Sequence, residues 1–259
     1  MKQRSWMLIS VALAACGSSG RNQGQPDSAG ARDAPDRDAA TRDTAPADAP
    51  TIPRVGLVGE WLFDGTAADT SGNVDDGIVH GATYAADRAG NPNSALSLDG
   101  STQWVEVPDA SALDLMNDLT ISAWVDATSL SALAGIVSKY RVAGSEGYVL
   151  RLAYDPPYDE LDFDEASSHI LVDGSAVLAT NAWHHVAATT AAGTVSVYID
   201  AQLAYTGTAG YALPTNHDPL AIGLDYTVAD GRFFAGAIDD VRIYDRALST
   251  SEIAELATP

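Results

Sequence analysis

The sequence predicts an all-β fold, a two-sheet antiparallel jelly-roll sandwich, on three observations. Residues 54–259 contain short runs rich in Val, Ile, Tyr, Trp and Thr. Gly, Asp, Asn and Pro separate these runs at intervals of about ten residues, as turns between strands require. A helical pattern occurs only at the C-terminal end of this region. Strands that have no helices between them bury their apolar faces against one another, which favours a sandwich.

Residues 1–15 are predicted to be an export signal. Lys2 and Arg4 precede an apolar run over 6–13, which is much shorter than the roughly 20 residues of a membrane-spanning helix. The run ends in Leu13-Ala14-Ala15-Cys16, which resembles the bacterial lipobox and implies a lipid on the thiol of Cys16. The alternative is an ordinary signal peptide followed by a buried cysteine. We predict an exported protein that is lipid-anchored to a bacterial membrane, at the outer membrane or cell surface.

Residues 16–53 are predicted to be a disordered linker that carries the lipid anchor. This segment is rich in Ala, Asp and Pro, has no aromatic residue, and contains only Ile52 as a large aliphatic residue. Such a composition buries too little apolar surface to offset the entropy of ordering the chain. The domain would therefore be displayed on a flexible tether.

Charge and cysteine content exclude several classes of function. The net charge is -21, from 35 acidic and 14 basic residues, and the domain of residues 54–259 carries 29 of the acidic and 8 of the basic ones. Nucleic acid is therefore excluded as a partner, because its phosphates would be repelled. A single cysteine rules out an intramolecular disulfide and a thiolate zinc cluster. The acidic excess is also consistent with a simple role in solubility.

The elements of the domain follow in chain order. Apolar and β-branched runs predict strands at 103–107, 119–125, 148–152, 186–190, 195–200, 220–224 and 237–244. The only predicted helix is short and C-terminal, over 249–256. Ser249 and Glu252 have the spacing of a capping box, and Ile253 and Leu256 lie on one face.

A set of ordered sequence blocks resembles the concanavalin A-like, laminin G-like jelly-roll family of extracellular modules. The blocks are Gly59-Glu60-Trp61-Leu62-Phe63-Asp64, Asp69-Thr70-Ser71-Gly72-Asn73, Leu96-Ser97-Leu98-Asp99-Gly100, Thr120-Ile121-Ser122-Ala123-Trp124-Val125, Trp183-His184-His185-Val186-Ala187, Val197-Tyr198-Ile199-Asp200 and Gly236-Ala237-Ile238-Asp239-Asp240-Val241-Arg242-Ile243-Tyr244. The resemblance spans nearly the whole domain. One departure is Ala201, at a turn where the family has Gly, which predicts a looser hairpin or another turn type.

An acidic segment raises an enzymatic alternative. Glu160-Leu161-Asp162-Phe163-Asp164-Glu165 resembles the E-x-D-x-x-E strand of the jelly-roll β-glucanases, which implies Glu160, Asp162 and Glu165 as catalytic carboxylates of a glycoside hydrolase. Strand alternation puts Glu165 on the face opposite Glu160 and Asp162, so this arrangement requires a β-bulge. The competing interpretation is an ordinary strand with Leu161 and Phe163 directed inward, and we favour it.

Aromatic and histidine residues give weaker indications. Tyrosines in loop-like stretches are candidates for stacking on a sugar, although scattered surface tyrosines are also ordinary: Tyr140, Tyr154, Tyr158, Tyr211 and Tyr226. Trp61, Trp124 and Trp183 occupy positions that the family resemblance assigns to the core. Adjacent residues His184 and His185 point to opposite faces of a strand and do not share one metal ion.

A structural calcium ion is implied by the resemblance, since family members often bind calcium through the aspartate that opens the last strand. Here that residue is Asp239, with Asp64, Asp69 and a carbonyl at Gly100 as further ligands. The alternative is that these aspartates accept hydrogen bonds in turns. The combined prediction is a surface-displayed binding module that is not an enzyme, with a carbohydrate or an extracellular protein or matrix component as its ligand.

Overall fold

The predicted β-rich runs form strands throughout the described part of the chain. The computed structural model describes residues 52–141, 146–165, 168–171, 177–208, 216–225 and 231–258, with the backbone alone at 141, 164–165 and 168–171. All of these residues belong to one compact unit, 46–259. None of the helices within them combines the length and apolarity that a membrane crossing requires. The predicted signal, Cys16 and nearly all of the predicted linker lie outside the described residues.

Eight strands form one antiparallel sheet. In spatial order they are β13 (Gln202–Thr208), β12 (Thr194–Ile199), β11 (Trp183–Ala191), β6 (Leu119–Ser129), β15 (Ala235–Tyr244), β4 (Ala95–Asp99) and β3 (Thr83–Ala85), with β1 (Leu57–Trp61) paired to the end of β15.

Seven strands form the second antiparallel sheet, and the predicted all-β jelly-roll sandwich is confirmed. In spatial order they are β10 (Ser168–Leu171), β9 (Leu161–Glu165), β8 (Glu146–Leu152), β7 (Gly135–Arg141), β14 (Leu220–Ile222), β5 (Trp104–Val107) and β2 (Ile78–His80). A short 3-10 turn at Ser111–Leu113 follows β5.

The core lies between the two sheets and follows strand alternation. On β6, Ile121, Ala123 and Val125 belong to the central apolar cluster. Ser122 and Trp124, between them, therefore face the outside of the eight-stranded sheet. The same rule applied to β9 places Leu161 and Phe163 in the core, as predicted. Each sheet thus has an inner apolar face and an outer face of mixed polarity.

Helix α1 (Thr250–Leu256) covers part of the outer face of the eight-stranded sheet. Ser249 caps it as predicted: its hydroxyl accepts the Glu252 N–H at 3.3 Å, and the Ser249 N–H donates to the Glu252 carboxylate at 2.8 Å. Ile253 and Leu256 are buried in a second apolar cluster that includes residues of β11, β12 and β15. The helix therefore forms a wall on this face.

The hairpin between β12 and β13 contains Ala201, the residue that differs from the Gly of the family pattern. Ile199 pairs with Gln202, so the loop has two residues, Asp200 and Ala201. Both have positive φ, 49° and 61°, as expected of a type I′ turn. Ala201 thus keeps the tight turn despite the side chain, at a conformational cost that Gly would avoid.

Candidate functional site

A cavity of about 450 Å³ opens on the outer face of the eight-stranded sheet. Four parts of the fold form it: neighbouring strands β6 and β11, the β12–β13 turn, helix α1 with its C-terminal residue, and the loop between β3 and β4. Its lining consists of Arg88, Trp124, Trp183, Asp200, Ala201, Ala254 and Ala257. We call it the Trp183 pocket. Its volume is within the range of small-ligand sites.

Both tryptophans of the pocket face away from the central core. Trp183 pairs with Asp126 at the start of β11 and is half-buried. Trp124 is 6% exposed, and its indole N–H donates to the Leu256 carbonyl at 3.2 Å. The core assignment is correct for Trp61, which belongs to the central cluster. Trp124 is buried as well, but on the outer face, outside that cluster. The core assignment is wrong for Trp183, which is half-buried on the face that α1 covers only in part.

Arg88 forms one side of the pocket and is held by two carboxylates. Its guanidinium carbon lies 4.6 Å from the centre of the Trp124 ring. Nη1 donates to Asp239 at 2.9 Å and Nη2 donates to Asp240 at 2.8 Å. The loop before β4 is thereby attached to the last strand. The positive charge of Arg88 is therefore paired with carboxylates of the protein itself.

Asp239, one of the two carboxylates that bind Arg88, is buried. Burial raises the pKa of Asp239 to about 7, repulsion from Asp240 adds to the increase, and Arg88 opposes it. This carboxyl group therefore titrates near neutral pH. Its titration affects the support of Arg88 rather than the open part of the pocket.

Asp200 supplies an accessible acceptor at the rim. Its side chain is 51% exposed. One carboxylate oxygen accepts the His185 backbone N–H at 2.9 Å, and the other is 2.8 Å from Nδ1 of His184. Each oxygen has a second lone pair, so the carboxylate retains capacity for a donor from a ligand.

The two adjacent histidines have separate structural roles. Nε2 of His184 accepts the Ala179 N–H at 3.2 Å, so Nδ1 carries the proton that is donated to Asp200. His185 is fully buried at 2.8 Å from the Ser122 hydroxyl, and burial lowers its pKa to about 3. The two imidazole rings thus have separate hydrogen-bond partners.

The acidic strand β9 lies in the seven-stranded sheet, and the carboxylate of Asp162 is not accessible to solvent. Asp162 is fully buried, with one oxygen 2.9 Å from Nε of Arg151. Arg151 also donates to Asp225 at 2.9 Å. Glu160 is half-buried just before β9, and the side chain of Glu165 lies outside the described residues.

The bulge that the glucanase arrangement requires is absent from the described β8–β9 pairing. Register is continuous from Leu152 opposite Leu161 to Tyr148 opposite Glu165. In a regularly paired strand, positions 162 and 165 belong to opposite faces of the sheet. The described backbone therefore lacks the bulge that would bring positions 160, 162 and 165 to one face.

The three predicted tyrosines that the structure describes do not line the Trp183 pocket. Tyr140 is on β7 of the seven-stranded sheet, with its ring centre 6.0 Å from the guanidinium of Arg151. Tyr154 is 60% exposed in the β8–β9 loop, and Tyr158 is half-buried in the same loop. Tyr211 and Tyr226 lie outside the described residues.

The residues of the predicted calcium site have other partners. Asp239 pairs with Arg88. Asp69 accepts the N–H group of Glu60 on β1 and those of Ser71 and Asp75 in its own loop, at 2.9 to 3.2 Å. Asp64 is exposed, and Gly100 has a φ of 71° in a turn. The turn alternative is consistent with the hydrogen bonds of Asp69, and Asp239 has Arg88 as a cationic partner.

Among the described side chains, one group of three has metal-ligand spacing: Asp109, Asp114 and His217. The ammonium group of Lys139 lies 2.7 Å from Asp109 and 3.3 Å from Asp114. Lys139 is buried, and it also donates to the Asp218 carbonyl at 2.8 Å. Lys139 therefore already provides one positive charge between these two carboxylates.

Comparison with known families identifies the chain. Residues 99–254 match the sequence profile of the Laminin_G_3 family, described as the concanavalin A-like lectin/glucanases superfamily. The chain belongs to this superfamily. The family resemblance of the sequence blocks is confirmed. No curated protein matches the chain in sequence.

Solved structures share the fold at low sequence identity. Domain 4 of AbnA, a GH43 extracellular arabinanase from Geobacillus stearothermophilus in complex with arabinotriose, is 24% identical with a TM-score of 0.63, over 78% of this chain and 98% of that one. The binding domain of Paraclostridial Mosquitocidal Protein 1 is 17% identical with a TM-score of 0.64, over 78% and 52%. The binding domain of Botulinum Neurotoxin DC in complex with SialylT is 19% identical with a TM-score of 0.59, over 80% and 52%. The matches thus span about half the length of the toxin domains.

Proposed function

We propose that residues 54–259 form a carbohydrate-recognition module whose ligand binds in the Trp183 pocket. The observation that carries the proposal is the lining of this pocket. An indole stacks on the apolar face of a sugar ring, and an exposed carboxylate accepts its hydroxyl protons. Trp183 and Asp200 offer these two groups at one cavity.

Relatives of the same fold support recognition of glycans. The arabinanase domain was solved with arabinotriose, and one toxin binding domain was solved with SialylT. The arabinanase domain matches over nearly its full length, so its comparison concerns an isolated module. The identity of the glycan is not transferred from these proteins.

Binding rather than hydrolysis is supported by the state of the acidic strand. A retaining glycosidase needs two carboxyl groups about 5 Å apart that face the substrate. Here Asp162 is buried in an ion pair with Arg151, and the described β8–β9 pairing is regular, without a bulge. Both observations favour binding over hydrolysis.

Display at a membrane is the second part of the proposal. Lipid on Cys16 and the Ala/Asp/Pro-rich linker would hold the module away from a bacterial outer membrane or cell surface. Cys16→Ser removes the thiol, so we expect an uncleaved precursor that no longer partitions into the detergent phase. Normal cleavage and partitioning of this variant would contradict lipid anchoring.

Calcium stays a proposal for the region of Asp64, Asp69 and Gly100. Asp239 is the fourth predicted ligand, and an ion bound to it would have to displace the guanidinium of Arg88. Thermal melts of metal-free protein in millimolar calcium and in chelator measure this. A calcium shift that Asp239→Ala abolishes supports the predicted site, whereas a shift that persists contradicts the role of Asp239. Identical melts contradict any calcium site that stabilises the fold.

A glycan array with the purified protein tests the proposed function. We expect retention on at least one class of oligosaccharide and no release of reducing sugar from β-glucans. Absence of binding across the array by folded protein contradicts carbohydrate recognition. Release of reducing sugar that Glu160→Gln abolishes would restore the enzymatic alternative.

A further inference from the structure

The described cationic side chains of the domain are all paired with carboxylates. Residues 54–259 contain eight Lys and Arg residues, and the side chains of seven are described. Their partners lie at 2.6 to 3.3 Å. The pairs are Arg54 with Glu60, Arg88 with Asp239 and Asp240, Lys139 with Asp109 and Asp114, Arg151 with Asp162 and Asp225, Arg232 with Asp225, Arg242 with Glu60 and Asp240, and Arg246 with Glu252.

The same condition applies inside the Trp183 pocket. Among the described residues that line it, Arg88 alone is cationic, and its two terminal nitrogens donate to Asp239 and Asp240. Asp200, by contrast, leaves its carboxylate half exposed at the rim. The pocket therefore presents an anion without a compensating free cation to an incoming ligand.

An acidic sugar would meet an unfavourable field in this pocket. A uronate, sialate or sulfate loses hydration on binding and needs a cation or several donors in return. Asp200 would repel it, and the net charge of -21 would slow its approach. A neutral sugar would be favoured instead, because its hydroxyl groups can donate hydrogen bonds to Asp200 while its ring carbons contact Trp183.

We propose that the Trp183 pocket selects uncharged, hydroxyl-rich glycans and excludes acidic ones. This inference rests on the proposed function and names the class of ligand. Three alanines also line the pocket, and their small side chains add apolar surface: Ala201, Ala254 and Ala257. The pocket thus combines an apolar contact surface with hydrogen-bond acceptors, as a neutral sugar ring requires.

The test compares neutral and acidic oligosaccharides with the whole protein at low and high ionic strength. Neutral probes are arabino-, xylo-, gluco- and galacto-oligosaccharides; acidic probes are sialylated, uronate and sulfated oligosaccharides. We expect binding to at least one neutral series, with an affinity that changes less than twofold between about 20 and 300 mM salt, because no ion pair is formed. Tight binding of an acidic series, weakened by salt, would overturn the inference and leave carbohydrate recognition intact. Failure of all probes would overturn both proposals.

A matched pair of variants at Ala254 sharpens the test. Ala254 is exposed on α1 and lines the pocket, and Lys and Gln have similar helix propensities. Ala254→Lys adds a free cation, whereas Ala254→Gln adds comparable bulk without charge. We expect only Ala254→Lys to gain binding of the acidic form of the preferred sugar, by at least tenfold. Equal behaviour of the two variants would mean that charge does not set the selectivity of the pocket.

Discussion

The outer faces of the two sheets use similar side chains in opposite ways. On the seven-stranded sheet, Arg151 joins the buried carboxylates of Asp162 and Asp225 into a closed ionic network. On the eight-stranded sheet, the loop, hairpin and helix leave a cavity in which Trp183 and Asp200 remain accessible. Ionic groups that are saturated within the fold stabilise it, while those with spare capacity at a cavity are available to a ligand.

The largest expected effect lies on the closed face. Arg151→Met leaves two buried carboxylates without their shared cation, and we expect it to lower the free energy of unfolding by about 3 to 5 kcal/mol. Urea unfolding monitored by circular dichroism measures this. Ala254→Gln, at the open face, serves as the control and should change stability by less than about 0.5 kcal/mol. Equal stability of Arg151→Met and wild type would contradict a structural role for the network.

The next effect concerns pH and the support of the pocket. The pKa of Asp239 is about 7 in the folded protein, above the ordinary value of about 3.9 in the unfolded chain. Between these values the folded form holds a proton that the unfolded form releases, so stability decreases as pH rises from about 4 to 7. We expect the melting temperature of Asp239→Asn to decrease less than that of wild type over this interval. Parallel pH profiles for the two proteins would contradict the raised pKa.

The smallest effect is at the hairpin that borders the pocket. Ala201→Gly relieves a positive φ of 61°, and part of the gain is offset by the greater freedom of Gly in the unfolded chain. We expect a net stabilisation of about 0.5 to 1 kcal/mol, measured by denaturant unfolding. Glycan affinity should change less than twofold if Ala201 only borders the ligand. A destabilised variant would contradict the type I′ description of the turn.

The strands, the helix cap and the inward side of β9 follow from local sequence patterns. Alternation alone places Leu161 and Phe163 in the core, and the spacing of Ser249 and Glu252 specifies the cap. The position of Trp183 does not follow in this way. Alternation assigns it to one side of a strand, but only the placement of α1 determines whether that side is a core or a pocket.

The ion pair between Asp239 and Arg88 could not be predicted from the sequence. The two residues are 151 positions apart in the chain, so no local pattern links them. The resemblance to calcium-binding relatives was the only guide available from the sequence. The sequence does show that the domain has few cations, and the structure shows how the described ones are used.

Calorimetric titration of the best array glycan into variants of both faces tests the central claim most directly. Trp183→Ala removes the stacking surface of the pocket, while Tyr154→Ala and His80→Ala remove exposed rings associated with the seven-stranded sheet. We expect Trp183→Ala to weaken binding at least tenfold, equivalent to about 1.4 kcal/mol, with melting temperatures that confirm folding. The other two variants should bind within twofold of wild type. Unchanged binding by folded Trp183→Ala, with loss in Tyr154→Ala or His80→Ala, would place the ligand on the opposite sheet and contradict the account.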